Sequence, residues 1–305
     1  AGGPVDRVAA QAWSAADHGT IISVPDNAVI TEPINVTVTG SGLEATTFMT
    51  LLVETGANSE ATVIVRYEGS GIHADNLNWH IGEGSRVNAV VDTQWERDTV
   101  HIGQQSIRVN RDSTLRHTVA AFGGEIIRLT PRVTFTAPGA DVELNGVYFA
   151  DAGQYIENRM LVDHSVPNCR SNVLYKGALQ GDRSSNVPEA HTCWVGDVLI
   201  RAEAKGTDTY ETNRNLVLTD GARADAIPNL EIETGEIAGA GHAATVGRFD
   251  EEQLFYLRSR GIPEQEATRL IIRGFFNEVL NQVPVESVRD ELIARVAGEL
   301  EQSNN

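Results

Sequence analysis

The sequence predicts an all-β body built as a solenoid of stacked coils, followed by a small C-terminal α-helical domain. Three observations predict it: period-two strands without long helices from about residue 20 to about 240, a turn-then-strand phrase that recurs at near-constant spacing, and a change of period to about 3.6 after Gly247. The division this implies is a β core over residues 1–247 and a helical domain over 248–305.

The strand signal comes from short Val, Ile, Leu and Thr runs interrupted by Gly, Asn and Asp. The clearest are residues 21–24, 34–38, 62–65, 87–91, 107–109, 133–135, 142–149, 195–200 and 215–218. No helix of ten residues fits between most of them.

Spacing carries the next step. Gly56-Ala-Asn-Ser59, Gly84-Ser85, Arg111-Asp-Ser113 and Gly139-Ala-Asp141 each precede an apolar strand, and Ser59, Ser85, Ser113 and Asp141 are 26, 28 and 28 residues apart. A period in that range, filled with short strands, fits coils that add one or two strands each to long parallel sheets. Apolar residues then stack inward and Asn, Asp, Ser and Gly take the corners. An antiparallel sandwich with evenly spaced hairpins is the competing architecture. The scarcity of two-residue hairpin turns counts against it: Asn145-Gly146 and Asp220-Gly221 are the only such pairs, and the first falls inside a strand phrase.

The helical part has start and stop signals. Asp250 is a good N-cap, Glu251 and Glu252 occupy the positive first turn, Leu254, Phe255 and Leu257 supply an apolar side, and Gly261 ends the helix. Pro263 opens a second helix with Ala267, Leu270, Ile271, Gly274, Phe275 and Glu278 at three- and four-residue steps. A third follows Pro284, with Val285, Val288, Leu292, Val296 and Leu300 on one stripe. A subdomain this small is expected to lean on the β body or on a partner.

Composition excludes several classes. The 305 residues carry a formal net charge of -18 without clusters of Lys or Arg, which argues against binding nucleic acid through phosphates. No apolar run approaches the roughly 20 residues that span a bilayer, and no leader opens the chain, so a soluble cytoplasmic protein is expected. The two cysteines, Cys169 and Cys193, are read as free buried thiols rather than a disulfide framework. The chain opens Ala-Gly-Gly-Pro without a methionine, as a processed chain or a fragment would.

Catalytic motifs are largely missing. There is no G-x-x-x-x-G-K-[ST] loop, G-x-S-x-G elbow, H-E-x-x-H helix or C-x-x-C pair. Asp163-His164 resembles a charge-assisted pair, but neighbours on a strand point to opposite faces. Solenoids commonly house polysaccharide-degrading enzymes, and Asp92, Asp98, Asp141 and Asp151 are carboxylates that could meet across coils. Against this, the Asp-Asp and Gly-His-Gly phrases of pectin-cleaving solenoids are absent.

His242 stands apart, in Gly239-Ala240-Gly241-His242-Ala243-Ala244 at the junction of β body and helices. Small neighbours leave the imidazole open and let another backbone approach. With no Cys, Asp or Glu close by in sequence it makes a poor metal site alone, and any further ligands must come from elsewhere, a second chain being the obvious supplier.

Six phrases, in order, carry a family resemblance: Asp163-His-Ser-Val-Pro-Asn-Cys169-Arg-Ser, Leu174-Tyr-Lys-Gly177-Ala-Leu, Thr207-Asp-Thr-Tyr210-Glu-Thr-Asn-Arg214-Asn215-Leu, Pro228-Asn-Leu-Glu-Ile232, Gly241-His242-Ala-Ala-Thr245-Val-Gly247 and Asp250-Glu-Glu-Gln-Leu-Phe-Tyr-Leu-Arg-Ser-Arg-Gly261. The chain resembles the SufB/SufD family of iron-sulphur cluster assembly scaffolds, and the SufD branch more than SufB. The earlier β region matches in character only, and the helical domain that usually precedes it in the family is not in evidence.

The resemblance implies a right-handed, flattened parallel β-helix with a small helical domain, and a non-catalytic scaffold subunit rather than an enzyme. It implies pairing with SufB through the end of the β-helix and recruitment of the ATPase SufC through the C-terminal helices, with Leu254, Leu257, Phe275 and Phe276 shared between packing and that contact. His242 would be a metal ligand facing thiolate from SufB in a transient shared iron-sulphur cluster, with no cofactor held stably by this chain alone. Many relatives write Cys-x-His-Gly where this chain has Ala240-Gly241-His242-Ala243. That departure favours SufD over a SufB-like cluster scaffold; Cys169, over seventy residues from His242 in sequence, is not placed at the cluster. Alone, the same exposed end would self-pair as a homodimer.

Overall fold

The computed structural model describes residues 3–184, 186–283 and 285–302, the side chains of 300–302 excepted. In chain order it contains α1 (Arg7–Ala15), β1 (Gly19–Val24), β2 (Ile34–Thr39), β3 (Gly42–Thr55), β4 (Glu60–Gly69), β5 (Gly71–Ile81), β6 (Arg86–Trp95), β7 (Val100–Val109) and β8 (Thr114–Gly123). It continues with β9 (Ile126–Phe135), β10 (Asp141–Asp151), β11 (Tyr155–His164), β12 (Arg170–Gln180), β13 (Ala190–Ile200), β14 (Asp208–Val217), β15 (Ala222–Ile232) and β16 (Gly239–Arg248). The chain then becomes helical in α2 (Glu251–Ser259), α3 (Glu264–Leu280) and α4 (Glu286–Gln302).

Odd-numbered strands form one eight-stranded sheet in the order β1-β3-β5-β7-β9-β11-β13-β15, and even-numbered strands form a second, from β2 to β16. The pairings within both sheets are parallel, which makes the body a parallel β-solenoid and rules out the antiparallel sandwich. Inward residues of the two sheets fill the lumen: Leu77, Trp79, Val91, Leu115, Tyr148, Tyr175 and Trp194 belong to one continuous buried cluster.

The recurring corner explains the spacing read from the sequence. A residue with positive φ precedes each even strand from β4 to β14, namely Asn58, Gly84, Asp112, Gly139, Asn168 and Gly206. The next residue turns its side chain back: Ser59, Ser85, Ser113 and Thr207 each donate a hydroxyl hydrogen bond to the carbonyl three residues earlier. Cys169 occupies the same rung, its backbone carbonyl accepting from Asp208 as that of Ser59 accepts from Arg86. Asn and Asp tolerate left-handed backbone better than other side chains, and Gly pays no steric cost there, so these residue types punctuate the coils.

Parallel sheets need cover on their outer faces. Ile64, Val90, Phe122, Val147, Phe149 and Leu174 point outward from the even sheet and are sealed by Ile272, Phe276, Val279 and Leu280 of α3 and Val288, Leu292 and Val296 of α4. Each such fully buried side chain is worth ~1.5–3 kcal/mol, so the helices are held by the β body. The buried stripe of α3 runs through Ala267, Ile272, Phe276, Val279 and Leu280, while Leu270 is 42 % exposed; the stripe expected from Leu270 and Ile271 is rotated because the outer β face sets which residues meet it. Asp250 caps α2 by accepting from Glu252 and Gln253, and Gly261 takes a positive φ after it, both as the sequence implies. Pro284 lies outside the described residues.

Helix α1 has no counterpart in the sequence reading. Asp6 caps it by accepting from Ala9, and Ala9 and Ala12 lie buried against the odd sheet. Asn76 of β5 donates to the Ala9 carbonyl, and Gln104 of β7 accepts from Val5.

Candidate functional site

The final coil presents His242. On β16 it stands in register with Glu211 of β14, and each sheet ends there, at β15 and β16, with an unpaired edge. Its imidazole is 43 % exposed, and Nδ1 lies 3.7 Å from Glu211 Oε1. Glu211 itself is 1 % exposed, and among the described residues neither carboxyl oxygen has a hydrogen-bond partner. Burial, with Asp197 adding repulsion, pushes its pKa up to about 8, so the carboxyl carries its proton near neutrality.

Glycines shape the ground around this pair. A Cβ on Gly196 would meet the Trp194 ring at 2.2 Å and Glu211 Oε2 at 2.5 Å, so the glycine makes room for both. Gly241 does the same for the Tyr210 ring, 2.7 Å from where a Cβ would stand. Trp194 Nε1 is buried without a partner in the same part of the lumen. Ile227, Ile232 and Val246 expose apolar surface on the last coil. The arrangement can present an imidazole nitrogen to an incoming ligand, backed by a carboxyl that can take or give a proton.

Glu211 escaped the reading of single motifs because it lies one coil away in sequence, and the coils here are not 28 residues long. Arg170 pairs with Asp208, and Asp208 with Gly239, steps of 38 and 31 residues, the first lengthened by the segment between β12 and β13. The signal that could have found it is a buried-parity acidic residue in Thr209-Tyr210-Glu211-Thr212, where period-two alternation places Glu inward.

The other singled-out residues are occupied elsewhere. Asp163 holds Arg201 through two hydrogen bonds, while the adjacent His164 turns into the lumen to Ser171 and stacks on Phe135, so the two do not act as a dyad. Asp92 is bound by Arg66 and Arg295, Asp141 by Arg116 and Arg170, and Asp151 by Arg97, while Asp98 sits in an exposed turn. None of these forms the paired carboxylates of glycoside cleavage. Cys169 and Cys193 are free thiols, buried and half-buried, with pKa values raised chiefly by burial.

A second cluster lies in the lumen near the other end. His73 and Asp75 on β5 and His101 on β7 are all buried, with Tyr67 and Trp95 around them. Although burial opposes it, the imidazoles of His101 and His73 hold the Asp75 carboxyl well below the usual range. Burial lowers His101.

On the outside, α2 and α3 leave a groove of about 600 Å³ lined by Leu216, Leu257, Leu270, Ile271 and Phe275, with Arg248 and Asp250 at its rim. Phe255 and Tyr256 stand exposed beside it, whereas Leu254 and Phe276 are buried in packing.

Comparison with known proteins gives this geometry a context. Residues 36–275 match the family described as SUF system FeS cluster assembly, SufBD core domain. An iron-sulfur cluster assembly SufBD family protein of Mycobacterium tuberculosis is 53 % identical over 300 residues, covering 98 % of this chain and 76 % of its own length. A Mycobacterium leprae protein of the same description is 52 % identical over 297 residues, 97 % of this chain and 76 % of its own length. The iron-sulfur cluster assembly protein SufD of Escherichia coli is 28 % identical over 200 residues, 66 % of this chain and 45 % of its own length.

Proposed function

Because this chain belongs to the SufBD family of iron-sulfur cluster assembly proteins, we propose that it serves as a SufD-like, non-catalytic scaffold subunit. On this reading it pairs with SufB at the β15/β16 end and receives the ATPase SufC on its C-terminal helices. The observation that carries the reading is His242: a half-exposed imidazole on the terminal coil, with no thiol beside it in sequence and with unpaired strand edges flanking it.

Unpaired parallel edges and exposed apolar residues favour extension of the sheets by a second chain. A partner's thiolates and this imidazole together make a mixed sulphur and nitrogen ligand set, which iron-sulphur chemistry accepts. Glu211 backs the ring and keeps its orientation as ligands arrive. The chain alone supplies too few ligands to hold a cluster, so the cluster is transient and shared. The groove between α2 and α3, with Phe255 and Tyr256 beside it, suits a docking helix or loop of SufC. Without its partner, the same open end drives self-pairing into a homodimer.

Co-expression with tagged SufB and SufC tests the reading. All three proteins should co-purify, and His242→Ala should leave that complex intact while cutting cluster formation at least tenfold. Failure of the folded chain to bind either protein would sink the proposal.

A further inference from the structure

In the lumen, far along the solenoid from His242, lies a constellation that the family reading does not use. His73 and His101 are in register on β5 and β7, and Asp75 lies two residues beyond His73 on the same inward face, opposite Gly103. The Nε2 atoms of both histidines lie 3.4 Å from the same carboxylate oxygen, Asp75 Oδ2. Neither Nε2 makes a hydrogen bond, and the three side chains are 5, 2 and 0 % exposed for His73, Asp75 and His101.

A separation of 3.4 Å is what two ligands show when they share a divalent ion at ~2.0–2.2 Å from each. A carboxylate buried this deeply is expected to be paired or to coordinate a metal, and among the described residues Asp75 has only the two imidazoles as ion-pair partners. Gly103 keeps the intervening space open: a Cβ there would stand 2.7 Å from Asp75 Oδ1 and 3.0 Å from His101 Nε2. The surroundings also suit a metal. His73 Nδ1 lies 2.8 Å from Thr47 Oγ1, which can accept from the ring and leave the Nε2 lone pair free. The Tyr67 hydroxyl donates to Asp75 Oδ2 at 2.5 Å and orients it.

We propose that His73, Asp75 and His101 are the protein ligands of a buried divalent transition-metal ion, zinc or ferrous iron, enclosed as the solenoid folds. Two imidazoles and one carboxylate suit such borderline cations rather than calcium or magnesium, which prefer oxygen ligands. The ion ties β5 to β7 inside the lumen and neutralises Asp75.

One contact must change when the ion enters. Trp95 Nε1 donates to His101 Nδ1 at 3.1 Å, which puts the ring proton on Nε2. Coordination through Nε2 moves that proton to Nδ1, and the Trp95 N–H turns away. Trp95 is therefore a competitor of the metal, and removing its N–H favours binding.

Elemental analysis of the purified chain after prolonged dialysis against chelator tests the site, together with refolding from denaturant in zinc, ferrous iron or cobalt. We expect about one ion per chain, released only on unfolding, with tetrahedral or five-coordinate visible bands for cobalt. Gly103→Ala and His101→Gln should stay folded by circular dichroism and lose more than nine-tenths of the ion, while Trp95→Phe should bind at least as tightly as wild type. Wild-type chain that refolds without taking up any of the three ions overturns the proposal. So does full retention of the ion by folded Gly103→Ala and His101→Gln, or a loss of affinity in folded Trp95→Phe.

Discussion

Glu211 lies in register beneath His242, its Oε1 3.7 Å from the imidazole Nδ1 and its other oxygen against the space that Gly196 leaves free. A buried acid and a half-exposed base are thus joined at the one end of the solenoid where both sheets finish on strands rich in small residues.

That relationship has a pH signature. The folded chain keeps the Glu211 proton to about pH 8, whereas an unperturbed Glu releases it near pH 4.5. Between those values the unfolded chain binds fewer protons than the native one, so the stability due to the neutral carboxyl is fully present below pH 4.5 and is lost as pH rises through about 8. Urea denaturation of wild type should show a decline of a few kcal/mol across that window. Glu211→Gln, which cannot ionise, should flatten it; an unchanged slope would show that Glu211 is not the titrating group.

Arg295 of α4 binds Asp92, which is 1 % exposed on the outer face of the even sheet and also meets Arg66. Arg295→Ala leaves Asp92 with Arg66 and Gln94 as its remaining partners and should destabilise by ~1–3 kcal/mol. Adding Asp92→Asn should recover a large part of that loss in a double-mutant cycle by chemical denaturation, and strict additivity would argue against the pair.

Phe276 is fully buried between α3 and the outward face that carries Phe122, Val147 and Phe149. Phe276→Ala should cost ~3–5 kcal/mol through the cavity it leaves. Limited proteolysis should then cut first within the C-terminal helices, because the solenoid keeps its own lumen core.

Cys169 fills a corner rung that Ser59, Ser85, Ser113 and Thr207 fill elsewhere. Cys169→Ser should therefore alter the unfolding free energy by under about 1 kcal/mol, its hydroxyl taking over the thiol's place beside the Ala137 and Pro167 carbonyls. In the native chain a thiol reagent should label the half-buried Cys193 well before Cys169.

Much of the architecture is legible residue by residue. The inward alternation and the Ser59, Ser85 and Ser113 spacing reflect one physical constraint, that each corner needs a left-handed residue followed by a small polar one, so the coil repeat is written into the chain. Asp250 and Gly261 mark α2 for the same local reason. The odd strands β5, β11 and β15 are harder to see, because their inward faces carry His73, Asp75, Asn158 and small residues rather than unbroken Val and Ile.

What the sequence determined by itself is therefore whatever depends on neighbours in the chain: strand and helix periods, corners, caps and the isolated character of His242. Tertiary structure alone decided which residues meet across coils. The 31-residue step from β14 to β16 brings Glu211 beneath His242, and the outer face of the even sheet selects the buried stripe of α3. Stacking also gathers His73, Asp75 and His101 around one oxygen, a contact between coils that no single-coil motif encodes.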